Sequence, residues 1–127
     1  TIIQKGGEYM SWELNSDKPV YLQLIEQIKR NILSGKYVAG EKLPSVRDLA
    51  AEAAVNPNTM QKALSELERD GLLFTERTSG RFITNNKELI KEMKKELVIE
   101  EVKQFMERMK KLGVEYEDII KIIESQK

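Results

Sequence analysis

Apolar residues recur at helical spacing in three successive stretches, then at every second position, then helically again. From residue 19 to 34, Val20, Tyr21, Leu24, Ile25, Ile28, Ile32 and Leu33 follow the helical period, and Gly35 closes the run. "YVAGEKLPS" interrupts the pattern: Ala39-Gly40 marks a turn, residues 41–43 suit a short strand, and Pro44 forbids a helix there. Ser45 is placed to cap a short second helix, with Asp48 three residues on in an acidic variant of the capping box. Val46, Leu49, Ala50 and Ala53 form its apolar stripe. "AAVN" reads as a tight turn into a third helix, with Asn56 as N-cap, Pro57 in the first helical position and Asp70-Gly71 as the stop. Met60, Ala63, Leu64 and Leu67 line one side of it. Helix, short turn, helix is the spacing of a helix-turn-helix.

After Gly71 the period falls to two. "LLFTE" and "RFIT" are strand-like, and "RTSG" between them supplies a turn in which Gly80 takes a positive φ. A two-stranded ribbon directly after the second motif helix makes a winged form, and its tip carries Arg77, Thr78, Ser79 and Arg81. From Lys87 the chain is helical again, with Leu89, Ile90, Met93, Leu97, Val98, Val102, Phe105, Met106, Met109 and Leu112 apolar before Gly113 breaks the run. A last helix is expected over roughly 115–124, with Tyr116, Ile119, Ile120, Ile122 and Ile123 apolar. The fold class predicted is mainly α with a small β wing. The polar "TNNKE" marks the boundary, which divides a winged helix-turn-helix over 11–86 from a helical unit over 87–127.

Residues 1–10 carry no period. The codons for "KGGE", just ahead of Met10, can spell a bacterial ribosome-binding sequence, which predicts a disordered leader with Met10 as the natural start. A genuine short tail is the alternative.

Charge is abundant and balanced, with 21 Lys+Arg against 21 Asp+Glu. The balance also holds by parts: 11 basic and 11 acidic residues through Asn86, 10 and 10 after it. Nucleic-acid binding must therefore rest on local arrangement rather than on total charge. The chain has no cysteine and no histidine, which removes disulfides, thiolate chemistry, and the commonest general base and metal ligand. No cofactor or metal is implied, and the carboxylates sit near basic partners three or four residues away, as surface pairs do. An enzyme is the reading with least support. Without a membrane-length apolar run or a signal-peptide pattern, a soluble cytoplasmic protein with no membrane partner is expected.

On the third helix, Asn58, Lys62, Ser65 and Arg69 project within one narrow sector with Gln61 at its edge, opposite the apolar residues. Glu66 and Glu68 fall to either side, so no carboxylate lies on the polar centre line, and Glu68 is expected to be a bystander. Asn and Gln pair with adenine edges in the major groove, and Lys and Arg reach guanine or phosphate. The helix N-terminus adds a positive dipole end and is expected to offer free N–H groups to a phosphate. A merely solvated face is the alternative. Arg47 stands in the first turn of the second helix, where a cation is disfavoured. A DNA contact would compensate it, as would a surface ion pair with Glu41 or Asp48.

In "PVYLQLIEQIKRNILSGKYVAGEKLPSVRDLA", "VNPNTMQKALSELERDGLL" and "TSGRFI", the chain closely resembles the GntR family of bacterial transcription regulators, within it the YtrA-like subfamily. The likeness covers about residues 19–84. It implies a repressor that binds a palindromic double-stranded operator as a homodimer. By resemblance, Arg47, Asn56, Asn58, Thr59, Gln61 and Lys62 are DNA contacts, and Thr78, Ser79, Gly80 and Arg81 form a wing that enters the minor groove. Ala54 departs from the glycine usual in the helix-helix turn; in a left-handed conformation it costs about 1 kcal/mol. Residues 87–127 are shorter than the effector-binding domains of larger relatives, and no effector is assigned. Their apolar residues run in heptad-like spacing with a phase slip between Leu97 and Val98. Leu97, Val98, Val102, Phe105, Met109, Leu112, Ile119 and Ile123 are the expected dimer contacts. A winged helix used for protein–protein contact is the competing function.

Overall fold

Capping chemistry sets the helix starts in the computed structural model, which describes residues 2–5 and 8–127. Ser45 Oγ accepts the Asp48 N–H at 3.1 Å and opens α2 (Val46–Ala53). Asn56 Oδ1 accepts the Asn58 N–H at 2.7 Å and opens α3 (Pro57–Arg69). Ahead of both, α1 (Val20–Leu33) starts directly after Pro19. Between α2 and α3, Ala54 has φ 58° and ψ 45°, the left-handed conformation that costs a residue with a Cβ about 1 kcal/mol. The turn keeps its geometry without a glycine because Val55 N–H closes on Ala50 O at 2.9 Å. Ala54→Gly should therefore stabilise the protein by about 1 kcal/mol. Thermal unfolding of the two chains checks this, and an unchanged or lower melting temperature would count against it.

The ribbon consists of β3 (Leu73–Glu76) and β4 (Gly80–Ile83), antiparallel, with Phe74 opposite Phe82 and Thr75 opposite Arg81. The strand expected over 41–43 contracts to one bridge, Lys42 to Phe82, flanked by Leu43 N–H to Arg81 O at 2.9 Å and Ile83 N–H to Glu41 O at 2.8 Å. Gly40 at φ 81° turns the chain on one side and Pro44 lacks an N–H on the other, so nothing longer fits. Where a leader without regular structure is expected, β1 (Ile2–Lys5) pairs antiparallel with β2 (Glu8–Ser11). The β-favouring residues Ile2, Ile3 and Tyr9 suit the strands. The Gly6-Gly7 part of that expectation lies outside the described residues.

Helix α3 is central, packing on α1, α2 and β3. The core joins Leu24, Ile28 and Ile32 of α1 to Leu49 of α2, Met60, Leu64 and Leu67 of α3, and Leu72 and Ile83 of the wing base, all fully buried. Two glutamines of α1 tie down the segment before it. Gln23, itself buried, accepts the Asn15 N–H and donates to Asn15 O and Lys18 O, each at 2.8 Å. Gln27 accepts the Glu13 N–H and donates to Glu13 O. Tyr37 is buried, and burial, then the charge of Glu52, pushes its phenol up to about 12, so it stays neutral and serves packing.

The chain divides into two compact units, the second spanning Glu92–Lys127. The division falls about one turn into α4 (Lys87–Lys111), whose start is capped by Asn86 Oδ1 accepting the Leu89 N–H at 3.0 Å. In the second unit, α4 is followed by α5 (Tyr116–Ser125). Val98, Val102, Leu112, Tyr116, Ile122 and Ile123 are exposed there, and Leu97, Phe105 and Met109 are half-buried. Ile119 corrects its expected role as a dimer contact: at 4 % exposure it is part of the unit's own packing.

Candidate nucleic-acid interface

Three elements of the first unit border one cleft. The start of α2 gives Ser45 and Val46, α3 gives Gln61, and the wing gives Thr75, Ser79, Gly80 and Arg81, with Lys42 at the edge. Burying Met60, Ala63, Leu64 and Leu67 leaves α3 only one rotation about its axis, and that rotation turns Asn58, Gln61, Lys62 and Ser65 outward.

The outward residues are organised. Gln61 donates to Ser65 Oγ at 3.0 Å, leaving its carbonyl oxygen as an acceptor towards the cleft. Asn58 is exposed with its side-chain amide unused among the described hydrogen bonds, and Thr59 is half-buried beside it. Lys62 Nζ stands 3.7 Å from the centroid of the Tyr21 ring, a cation–π contact that reaches across to α1. Arg69 pairs instead with Glu66 on its own helix at 3.2 Å. Arg47 is exposed and, among the described residues, makes no ion pair, so neither Glu41 nor Asp48 compensates it.

The free N–H groups expected at the start of α3 are not there. Pro57 has none, Asn58 N–H goes to Asn56 Oδ1, and Thr59 N–H and Met60 N–H go to Asn56 O at 3.0 and 3.1 Å. Asn56 cannot cap this helix and also leave its donors open, so only its own side-chain NH2 remains for an outside partner. A phosphate here meets side chains and the helix dipole, not a nest of amides.

At the wing, Arg77, Thr78 and Ser79 are exposed in the turn, and Gly80 has φ 115°. A Cβ at Gly80 would lie 3.0 Å from Lys42 Cε, so the lysine stem covers that side of the tip and any residue but glycine would both strain the backbone and displace it. Arg81 departs from the simple expectation of a tip contact. Its side chain is only 15 % exposed and turns back towards Glu68, 3.9 Å away. Lys42 is a cation that the sequence motifs do not single out, although the alternation around the buried Leu43 indicates its outward aim.

Taken together, exposed amides and cations project from a helix, the turn before it and a ribbon tip, around one cleft, with Glu68 turned aside onto the ribbon. Such a surface offers base-edge donors and acceptors on the helix and cations at its margins. The chain is similar to known proteins. Residues 20–83 match the family model described as bacterial regulatory proteins, gntR family. Over 105 residues the chain is 42 % identical to the HTH-type transcriptional repressor YtrA of Bacillus subtilis (strain 168), covering 82 % of this chain and 81 % of that protein. A GntR family transcriptional regulator from Listeria monocytogenes superposes with a TM-score of 0.81 at 36 % identity, over 88 % of this chain and 98 % of that one. AraR(DBD), solved in complex with operator ORX1, superposes with a TM-score of 0.51 at 31 % identity, over 53 % of this chain and 81 % of its own.

Proposed function

Because the chain belongs to the GntR family of bacterial regulatory proteins, it is a DNA-binding transcription regulator, and we propose that it represses by binding a near-palindromic operator as a homodimer. The observation that carries the assignment of the site is the outward face of α3, where Asn58, Gln61 and Lys62 are exposed together and no carboxylate lies between them. The helix enters the major groove, Arg47 at the start of α2 reaches the flanking backbone, and the tip at Thr78 and Ser79 reaches the adjacent minor groove. Repression is supported by the YtrA relative and follows from occupancy of an operator. The second copy is supported by the exposed Val98, Val102, Leu112 and Ile123, more apolar surface than two helices bury on themselves. A two-fold dimer presents two equivalent helices, so half-site centres should lie about 10 bp, or a short multiple, apart.

Single substitutions in the full chain separate the roles. Asn58→Ala should cost roughly 1–3 kcal/mol on the preferred operator and relax the choice at one base position. Lys62→Ala should weaken all sequences alike and lower the salt slope by about two units, one for each copy in the dimer. Sites selected from random DNA, followed by titrations at several salt concentrations, give both numbers. Equal and small effects at the two positions would mean that the face is merely solvated. Failure of the unmodified chain to bind any DNA at low salt would point to a protein partner.

A further inference from the structure

A carboxylate beside a DNA-binding face repels phosphate, so Glu68 ought to be a defect or an indifferent neighbour. Its contacts say otherwise. Glu68 lies in the last turn of α3, and its Oε1 accepts a hydrogen bond from Thr75 Oγ1 at 2.5 Å. Its Oε2 lies 3.9 Å from Arg81 Nη2, and the carboxylate is 35 % exposed. Thr75 and Arg81 are directly opposite each other in the β3–β4 register, at the second pair below the turn. One carboxylate thus grips both strands at the same level, on one face of the ribbon.

The neighbouring pair, Phe74 and Phe82, stacks with ring centroids 5.5 Å apart. Residues adjacent along a strand point to opposite faces, so this stack and the Glu68 grip hold the two faces of the same ribbon. Below them the buried Leu73 and Ile83 root it in the core. Above them the stem of Lys42 lies along Gly80 at the tip. The contacts at Thr75 and Arg81 act on the roll of the ribbon about its long axis, beside the backbone bonds of Leu43 to Arg81 and of Ile83 to Glu41.

We propose that Glu68 is a positioning residue, which locks the wing at a fixed distance and angle from the recognition helix by holding Thr75 and Arg81 together. The proposal rests on the DNA-binding reading above. It gives Arg81 a different task from a direct contact: its guanidinium offsets the charge of Glu68, and Arg77 and Lys42 become the cations that the wing offers to DNA. Both are exposed and, among the described residues, neither has an acidic partner.

The test uses the full chain, the selected operator and binding measured by fluorescence anisotropy at one salt concentration. Glu68→Ala and Thr75→Val should each weaken binding about tenfold, and the double substitution should be no worse than either, because both break one tie. Glu68→Gln keeps an acceptor for Thr75 and should recover most of the loss. With the tip already disarmed by Lys42→Ala and Arg77→Ala, Glu68→Ala should cost less than about twofold. Hydroxyl-radical protection in the minor groove should fade in Glu68→Ala while protection of guanine N7 from dimethyl sulfate, the major-groove readout of α3, persists. A general loss of fold would instead weaken binding equally in both backgrounds, and that result overturns the proposal. So does tighter binding by Glu68→Ala, the response of an ordinary repelling carboxylate. If the unmodified chain binds no DNA, the functional reading itself fails; if it binds and Glu68 is inert, only this inference does.

Discussion

Val102→Glu combined with Ile123→Glu should yield a monomer in sedimentation and bind the operator at least about 100-fold more weakly than the unmodified chain. The two side chains are 54 % and 50 % exposed, so neither supports its own unit, and helix content should be unchanged. Val98, Val102, Phe105 and Met109 of α4, and Leu112 just past its end, alternate steps of four and three, the spacing of a seam between helices. A glutamate placed in such a seam loses its hydration without gaining a partner. Affinity falls steeply because the second half-site is bound from within the complex when two heads are joined, and from free solution when they are not. A doubly substituted chain that stays dimeric would move the interface to another surface.

Operator affinity should fall by about 10⁴-fold between 50 and 200 mM salt, although the formal net charge is zero. Bulk neutrality is irrelevant to counterion release, which counts only the phosphates that are neutralised. Each head turns Lys42, Arg47, Lys62 and Arg77 outward around one surface, so a dimer brings eight cations to the duplex. Titration of a labelled operator at several salt concentrations gives the slope, and a loss of less than about tenfold over that range would contradict phosphate contact on this scale.

The parts of this molecule that the sequence makes legible are those decided within about one turn of chain. Ser45 and Asn56 cap by accepting the N–H of a residue two or three positions further along, and the apolar stripe of α3 needs only its own period. The left-handed conformation of Ala54 is legible only through the resemblance, in which a glycine usually fills that place. The N-terminus of α3 is instructive in the other direction. Naming Asn56 as the cap and Pro57 as the next residue already implied that the donors were consumed, a consequence that local reading contained but that the anion-site expectation overlooked. By contrast, Glu68 meets Thr75 seven residues on only because a turn at Gly71 reverses the chain and the ribbon register sets Thr75 against Arg81. Ile119 and Ile123 look alike at helical spacing, and only the packing of the tail says that one is enclosed and the other open. Rotation and register, rather than element identity, are what period counting leaves undetermined.

Lys62 lies over Tyr21 before any DNA arrives. A free lysine on a binding surface samples many rotamers, and immobilising it can cost up to about 2 kcal/mol of conformational entropy. Here much of that ordering has occurred during folding, within a contact between two core helices. The ammonium keeps donors free for a phosphate because the ring takes only its face. If Lys62 meets phosphate as proposed, Tyr21 would raise affinity without touching the ligand: it presents Lys62 in a narrowed set of conformations, so that less disorder remains to be lost at the moment of recognition.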